Sequence, residues 1–139
     1  MKPRRASINP RRSEIWIVNL DKPNQVIKHE DYALPDERVG SEQAKIRPAV
    51  VISIESFSNL PVCTIVPFGT WQTWHNEQLW FIPIEPDSSN NLKRTSSALC
   101  SQIQTVSYQR FEKYIGDLSD DLMQQVCAAV ALGIQYECP

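Results

Sequence analysis

The feature that most constrains the fold is an unbroken apolar run, Ala49-Val50-Val51-Ile52, entered through Arg47-Pro48 and preceded by the loop Gly40 to Lys45. Four consecutive residues of this kind, rich in Val, read as a strand buried on both faces. Such a strand needs neighbours on either side and cover above and below. Arg47 stands at its mouth, and a guanidinium held on a rigid element is well suited to handling phosphate. By itself, an arginine at a strand start is an ordinary surface residue.

The neighbours are legible in the rest of the chain. Strands are expected over 13–20, about 47–53, 62–68 and 79–84, with a further extended segment over 97–106. Pro67 and Gly69 are expected to stop the third strand, and Pro83 marks the fourth as an edge or a bulge. Thr70 then falls in a post-strand turn, where a threonine alone is usually a turn residue. Residues 55–59 suggest a short turn or helical piece, 85–91 a turn-rich connection, and 108–114 either a short helix or an extended segment ended by Gly116. Residues 22–39 form a long polar loop with Pro23 and Pro35; loops of this length are usually functional or mobile. Ser119 has N-cap chemistry, and Asp120 and Asp121 oppose the dipole of a following helix. Leu122, Val126, Ala129, Val130 and Gly133 share one face of it, the face expected to pack on the sheet. Strands first and one helix last predict a mainly β fold, a small antiparallel barrel or sheet rather than a βαβ unit.

One domain is expected over 13–139, preceded by a basic, disordered arm over 1–12. That arm holds five of the fourteen Lys and Arg residues and no acid, leaving nine bases against sixteen acids in the remainder, a net of −7. The body is therefore not a broadly basic nucleic-acid-binding surface, and any such role needs a local patch. No apolar run is long enough for a membrane span, and the N-terminus lacks a signal-peptide core, which points to a cytoplasmic protein. Cys63, Cys100, Cys127 and Cys138 show no CxxC pairing and read as reduced, mostly buried thiols. His29 and His75 are too few for a metal cage, and both are expected to be solvated.

There is no glycine-rich phosphate loop, no GxSxG elbow and no HExxH. Arg47, Thr70 and the polar ends of strands remain as candidates. Phosphodiester cleavage in RNA asks little more of a protein than positioning and charge, because the 2′-hydroxyl is itself the nucleophile. Trp71, Trp74 and Trp80 can stack unpaired bases. Trp80 is expected in the core because it lies in a strand; for Trp71 and Trp74, base stacking and a dimer interface are equally good readings.

Four blocks in order carry a family resemblance: Arg12 to Asp21, Gly40-Ser41-Glu42-Gln43 through Arg47 to Ser53, Ile65-Val66-Pro67-Phe68-Gly69-Thr70, and Ser97 to Val106. With the tail from Gly116 to Leu132, they make the chain resemble the MazF/PemK toxin ribonucleases of bacterial toxin–antitoxin pairs. The block running from Gly40 to Ser53 is the specific one. The resemblance implies an SH3-like barrel of the CcdB/PemK type acting as a homodimer, with no metal or other cofactor. It further implies cleavage of single-stranded RNA, typically mRNA at short motifs, and neutralisation by a cognate antitoxin. By resemblance Arg47 and Thr70 are the catalytic pair. Glu42 and Gln43 flank the site, Ser53 and Gln102 match rim positions that touch RNA, and Trp71 is a further substrate-binding candidate. Arginine holds its proton tightly, so Arg47 reads as a charge stabiliser rather than a proton carrier.

Three departures from the family pattern stand out. About fifteen residues are added between Asp21 and Gly40, beyond an ordinary connection. Gln104 stands where relatives often carry arginine, and the body is acidic. A non-catalytic toxin or binding module on the same fold, of gyrase-poison type or a degenerate relative, is the competing reading; such a binder has no need to place Arg47 and Thr70 together.

Overall fold

A computed structural model of the chain describes residues 9–21, 46–54 and 60–135. The 22–39 loop, Glu42, Gln43, residues 55–59, His29, Cys138 and most of the basic arm lie outside the described residues. Among the described residues, seven strands and one α-helix follow in the order β1 (Glu14–Asn19), β2 (Ile46–Val51), β3 (Val62–Thr70), β4 (Phe81–Ile84), β5 (Ser96–Leu99), β6 (Gln104–Ser107), β7 (Phe111–Asp117) and α1 (Asp120–Gly133). All pairings are antiparallel, in the order β4-β5-β3-β2-β1-β7, with β6 also on β3. The fold is mainly β with a C-terminal helix, as expected; the ladders among the described residues do not close into a complete ring.

β3 is the spine because it changes partners along its length. Cys63 pairs with Val106 of β6, Val66 with Val50 of β2, and Phe68 with Ala98 of β5. Pro67 and Gly69 do not stop it. Pro67 sits at the junction between the β2 and β5 ladders, and Gly69 stays extended opposite Ser97. Thr70 is consequently the last residue of a strand rather than a turn residue.

Burial on both faces of the central strands gives two apolar clusters. Val50, Val66 and Phe68 join Ile15, Ile84 and Ala98 beneath Met123, Val126 and Ala129 of α1. On the other face Ala49, Val51, Cys63 and Ile65 pack with Val18, Val106 and Phe111. Fully burying a side chain such as Phe68 or Ile65 stabilises by roughly 1.5–3 kcal/mol. Ser119 caps α1 as expected, its Oγ accepting from Leu122 N at 3.2 Å. The buried face of the helix is led by Met123, while Gly133 is exposed because it falls in the last turn, beyond the sheet.

Other expectations are corrected. The segment 97–106 is broken by a 3-10 turn over Cys100–Gln102, and 108–114 divides into a 3-10 turn at Tyr108–Arg110 and strand β7. Trp80 precedes β4 in a turn and is 38% exposed, so it is not core. His75 is not solvated: it is buried, stacked on Phe81 at 4.0 Å and met edge-on by Trp71 and Trp74. Among the described residues, no helix is long and apolar enough to cross a membrane.

Candidate active site

A groove of about 480 Å³ opens where the ends of β2 and β3 meet β1, β7 and the connection between β4 and β5. Ile17 of β1 stands in register with Pro48 of β2 on one side and Lys113 of β7 on the other, so three strands lay these residues in a row. Arg47, Gly69 and Thr70 form one wall, and Asn91, Lys93, Arg94 and Lys113 contribute the other.

Arg47 is half-buried, and its Nη1 donates to the Phe68 carbonyl at 3.2 Å. That bond lays the guanidinium across β3. A β-carbon on Gly69 would stand 3.3 Å from Leu99 Cδ1, a tight approach, and 3.7 Å from the same Nη1, an ordinary contact, so the bare glycine relieves crowding against Leu99 while the guanidinium lies alongside. Thr70, exposed at the strand end, pairs in register with Ser96, and both line the groove.

The electrostatics are one-sided. Arg47, Lys93, Arg94 and Lys113 line the groove, and none of its described lining residues is acidic. Four of the nine bases found after residue 12 thus converge on one cleft of an otherwise acidic body. Like charges along a cleft with low-dielectric walls focus a potential that draws anions.

The loop carrying Lys93 and Arg94 is held from within. Asn90 is buried, its Oδ1 accepting from Asp87 N at 3.1 Å and Leu92 N at 2.9 Å while Nδ2 donates to the Glu85 carbonyl at 2.8 Å. Asn91 takes the left-handed backbone (φ 56°), a region Asn tolerates better than most residues. Its Nδ2 donates to the Ile115 carbonyl at 2.6 Å, tying the loop to β7.

The structure therefore brings Arg47 and Thr70 to one groove and leaves the other described candidates outside its lining. Ser53 Oγ accepts from Thr64 N at 3.1 Å, fastening the end of β2 to β3. Gln102 lies in the 3-10 turn after β5, and Gln104 pairs with Ile65 in β6. Trp71 follows Thr70 directly but is half-buried, its ring 5.3 Å from His75. Lys93, Arg94 and Lys113 escaped sequence reasoning. The adjacent Lys93-Arg94 pair in a turn-rich stretch was the visible signal, but nothing in the sequence tied it to Arg47.

Burial moves two kinds of group away from solution behaviour. Cys63 and Cys100 are pushed up to about 12 by desolvation, the latter also by nearby Cys127. His75 is lowered by desolvation, and its Nδ1 accepts from Gln72 N at 3.2 Å. Among the described residues no three His, Cys, Asp or Glu side chains come together as a metal-binding group.

A curled antiparallel sheet with one covering helix and a cation-lined groove defines a small β-barrel-type protein equipped for an anionic ligand. The chain belongs to the PemK-like, MazF-like toxins of type II toxin–antitoxin systems, whose sequence pattern matches residues 11–134. Its fold is similar to that of the Mycobacterium tuberculosis toxin MazF-mt6, with a TM-score of 0.63, 18% identity, and coverage of 90% of this chain and 99% of that one. It is similar to an endoribonuclease from a mycobacterial species in complex with its cognate antitoxin (TM-score 0.64, 14% identity, 94% and 99% coverage). MazF from Deinococcus radiodurans is also similar, at a TM-score of 0.69 and 13% identity, with 94% of this chain and all of that one covered. No curated protein matches the sequence.

Proposed function

We propose that the protein is an endoribonuclease toxin that cleaves single-stranded RNA without a metal ion, selects short sequence motifs in mRNA, and is neutralised by a cognate antitoxin. The observation that carries this reading is the meeting of Arg47 and Thr70 in one groove that holds four cations and no acid among its described lining residues. Family membership supports it, as does the likeness to a mycobacterial endoribonuclease held by its antitoxin. Action as a homodimer in the cytoplasm, where mRNA is found, belongs to the same reading.

The chemistry follows from the groove. The RNA 2′-hydroxyl attacks the adjacent phosphorus, the bond to the 5′-oxygen of the next nucleotide breaks, and the products are a 2′,3′-cyclic phosphate and a 5′-hydroxyl. The proton lost by the attacking oxygen is balanced by the one gained by the leaving oxygen. Charge builds on the phosphoryl oxygens, where a preorganised donor contributes most. Arg47 is that donor: its Nη1 is held on the Phe68 carbonyl, and the planar fork of a guanidinium matches the oxygens of a phosphate. The Thr70 hydroxyl, fixed at a strand end, donates beside it. Metal independence fits a groove whose described lining offers a divalent cation repulsion rather than carboxylates.

The test is incubation of a long unstructured RNA with the protein in EDTA, with cut sites and 3′ ends mapped. Cleavage ending in 2′,3′-cyclic phosphate and lost in Arg47→Ala is expected. A folded wild-type protein that cuts nothing, with Arg47→Ala equally toxic in cells, overturns the reading.

A further inference from the structure

We infer that Lys93, Arg94 and Lys113 form a second phosphate-binding wall, which holds backbone phosphates flanking the scissile one and so supplies most of the substrate grip. The inference rests on the endoribonuclease reading and assigns to the β4–β5 loop and β7 a role separate from that of Arg47 and Thr70. The three side chains are exposed and line the same groove as Arg47. No carboxylate among the described residues pairs with them, and Glu85 at the start of the loop is engaged by Thr95 Oγ1 at 2.9 Å. Their charge is therefore available to a ligand rather than spent within the fold.

The wall is also built before any ligand arrives. Asn90 fixes the loop through three hydrogen bonds, and Asp117 N donates to the Ser89 carbonyl at 3.0 Å. Asn91 adds its own bond to Ile115. Loop and β7 thus form one unit, and the two lysines and the arginine approach the ligand from a surface that needs little ordering. The rest of the chain works in the opposite sense: without the four groove cations, residues 13–139 carry five bases against sixteen acids, a net of −11, which repels a polyanion. Among the described residues that line the groove, the cations besides Arg47 are Lys93, Arg94 and Lys113. These three are the ones the fold delivers.

The experiment is the salt dependence of binding to a mixed-sequence 2′-O-methyl RNA oligonucleotide, which cannot be cut because its nucleophile is blocked. Each phosphate contact on a single strand contributes about 0.7 to the slope of log affinity against log salt. The triple variant Lys93→Gln, Arg94→Gln, Lys113→Gln should lower that slope by about 2 while its melting curve stays that of the wild type. Arg11→Gln, which removes a cation outside the groove lining, should leave the slope unchanged. If the wild type binds and the triple variant keeps its slope, the wall is refuted and the endoribonuclease reading stands. If Arg11→Gln lowers the slope as much per charge, binding is a diffuse field and the wall is again refuted. A wild type that fails to bind even at low salt overturns both.

Discussion

The backbone of Gly116 on β7 lies directly against the Ser89 carbonyl, so that a β-carbon at position 116 would collide with that oxygen and stand 2.9 Å from the Asn90 backbone. Both obstacles are main chain and cannot rotate away. Gly116→Ala should destabilise the fold by about 2–3 kcal/mol, in the range of an overpacked site. A urea midpoint that stays within error of the wild type would show that the loop moves aside at little cost.

Asn90→Ala removes one acceptor and one donor from a buried site and leaves the amides of Asp87 and Leu92 and the carbonyl of Glu85 without that partner. A loss of about 2–3 kcal/mol is expected, since each buried group left unmet costs about 1–3 kcal/mol before relaxation. The effect should also be local. Hydrogen exchange is expected to quicken over 85–95 before it changes in β2 or α1.

On the endoribonuclease reading, Arg47→Lys is not a conservative change. A lysine is a single strongly hydrated charge and cannot both bond the Phe68 carbonyl and fork onto a phosphate. The cleavage rate should fall by about 10²–10³, the loss seen when one preorganised donor is removed. Affinity for the uncleavable oligonucleotide should change far less, because the charge is kept. Equal losses in binding and rate would assign Arg47 to grip rather than to the transition state.

His75 makes stability depend on pH. Burial lowers its folded pKa below the ordinary value of 6.5, so the unfolded chain binds this proton more tightly than the native one. The stabilisation is complete above about pH 6.5 and is lost as pH falls from there toward the folded pKa. His75→Gln keeps an acceptor for Gln72 N but does not titrate. The difference in melting temperature between wild type and variant should therefore shift in favour of the variant on going from pH 7.5 to pH 5. A difference that is constant over that range would rule out the linkage.

Cys63 and Cys100 should resist alkylation at pH 8, because burial excludes reagent and holds both thiols near 12. Mass mapping after brief iodoacetamide treatment should find them unmodified in the native protein and fully modified in urea. Rapid native labelling of either would show that its cluster opens locally.

How much of this was legible follows from where each signal lives. Ala49, Val50 and Val51 announce a strand buried on two faces, and each is found in one or other of the two clusters. The cap at Ser119 and the acids after it are local chemistry, and the helix begins where they place it. Thr70 was misplaced into a turn because Pro67 and Gly69 look like terminators. Within the sheet Pro67 stands at a change of partner, and Gly69 stays extended opposite Ser97 with Leu99 of β5 close against it, a reason that lies in another strand. Trp80 and His75 exchanged their expected environments for a similar cause. A hydrophobic ring adjoining a strand can still fall in the turn before it, and an imidazole can be buried when three aromatic rings close round it.

By itself the sequence determined the strands, the terminal helix, the acidic body and the arginine at the mouth of β2, because each depends on residues that are neighbours along the chain. Only the tertiary structure decided that Lys93, Arg94 and Lys113 face the same groove as Arg47 and Thr70. Those residues come from four separate segments, and their meeting depends on strand pairing and on a loop locked by Asn90. Pairing and locking act across long separations, which composition and periodicity do not encode.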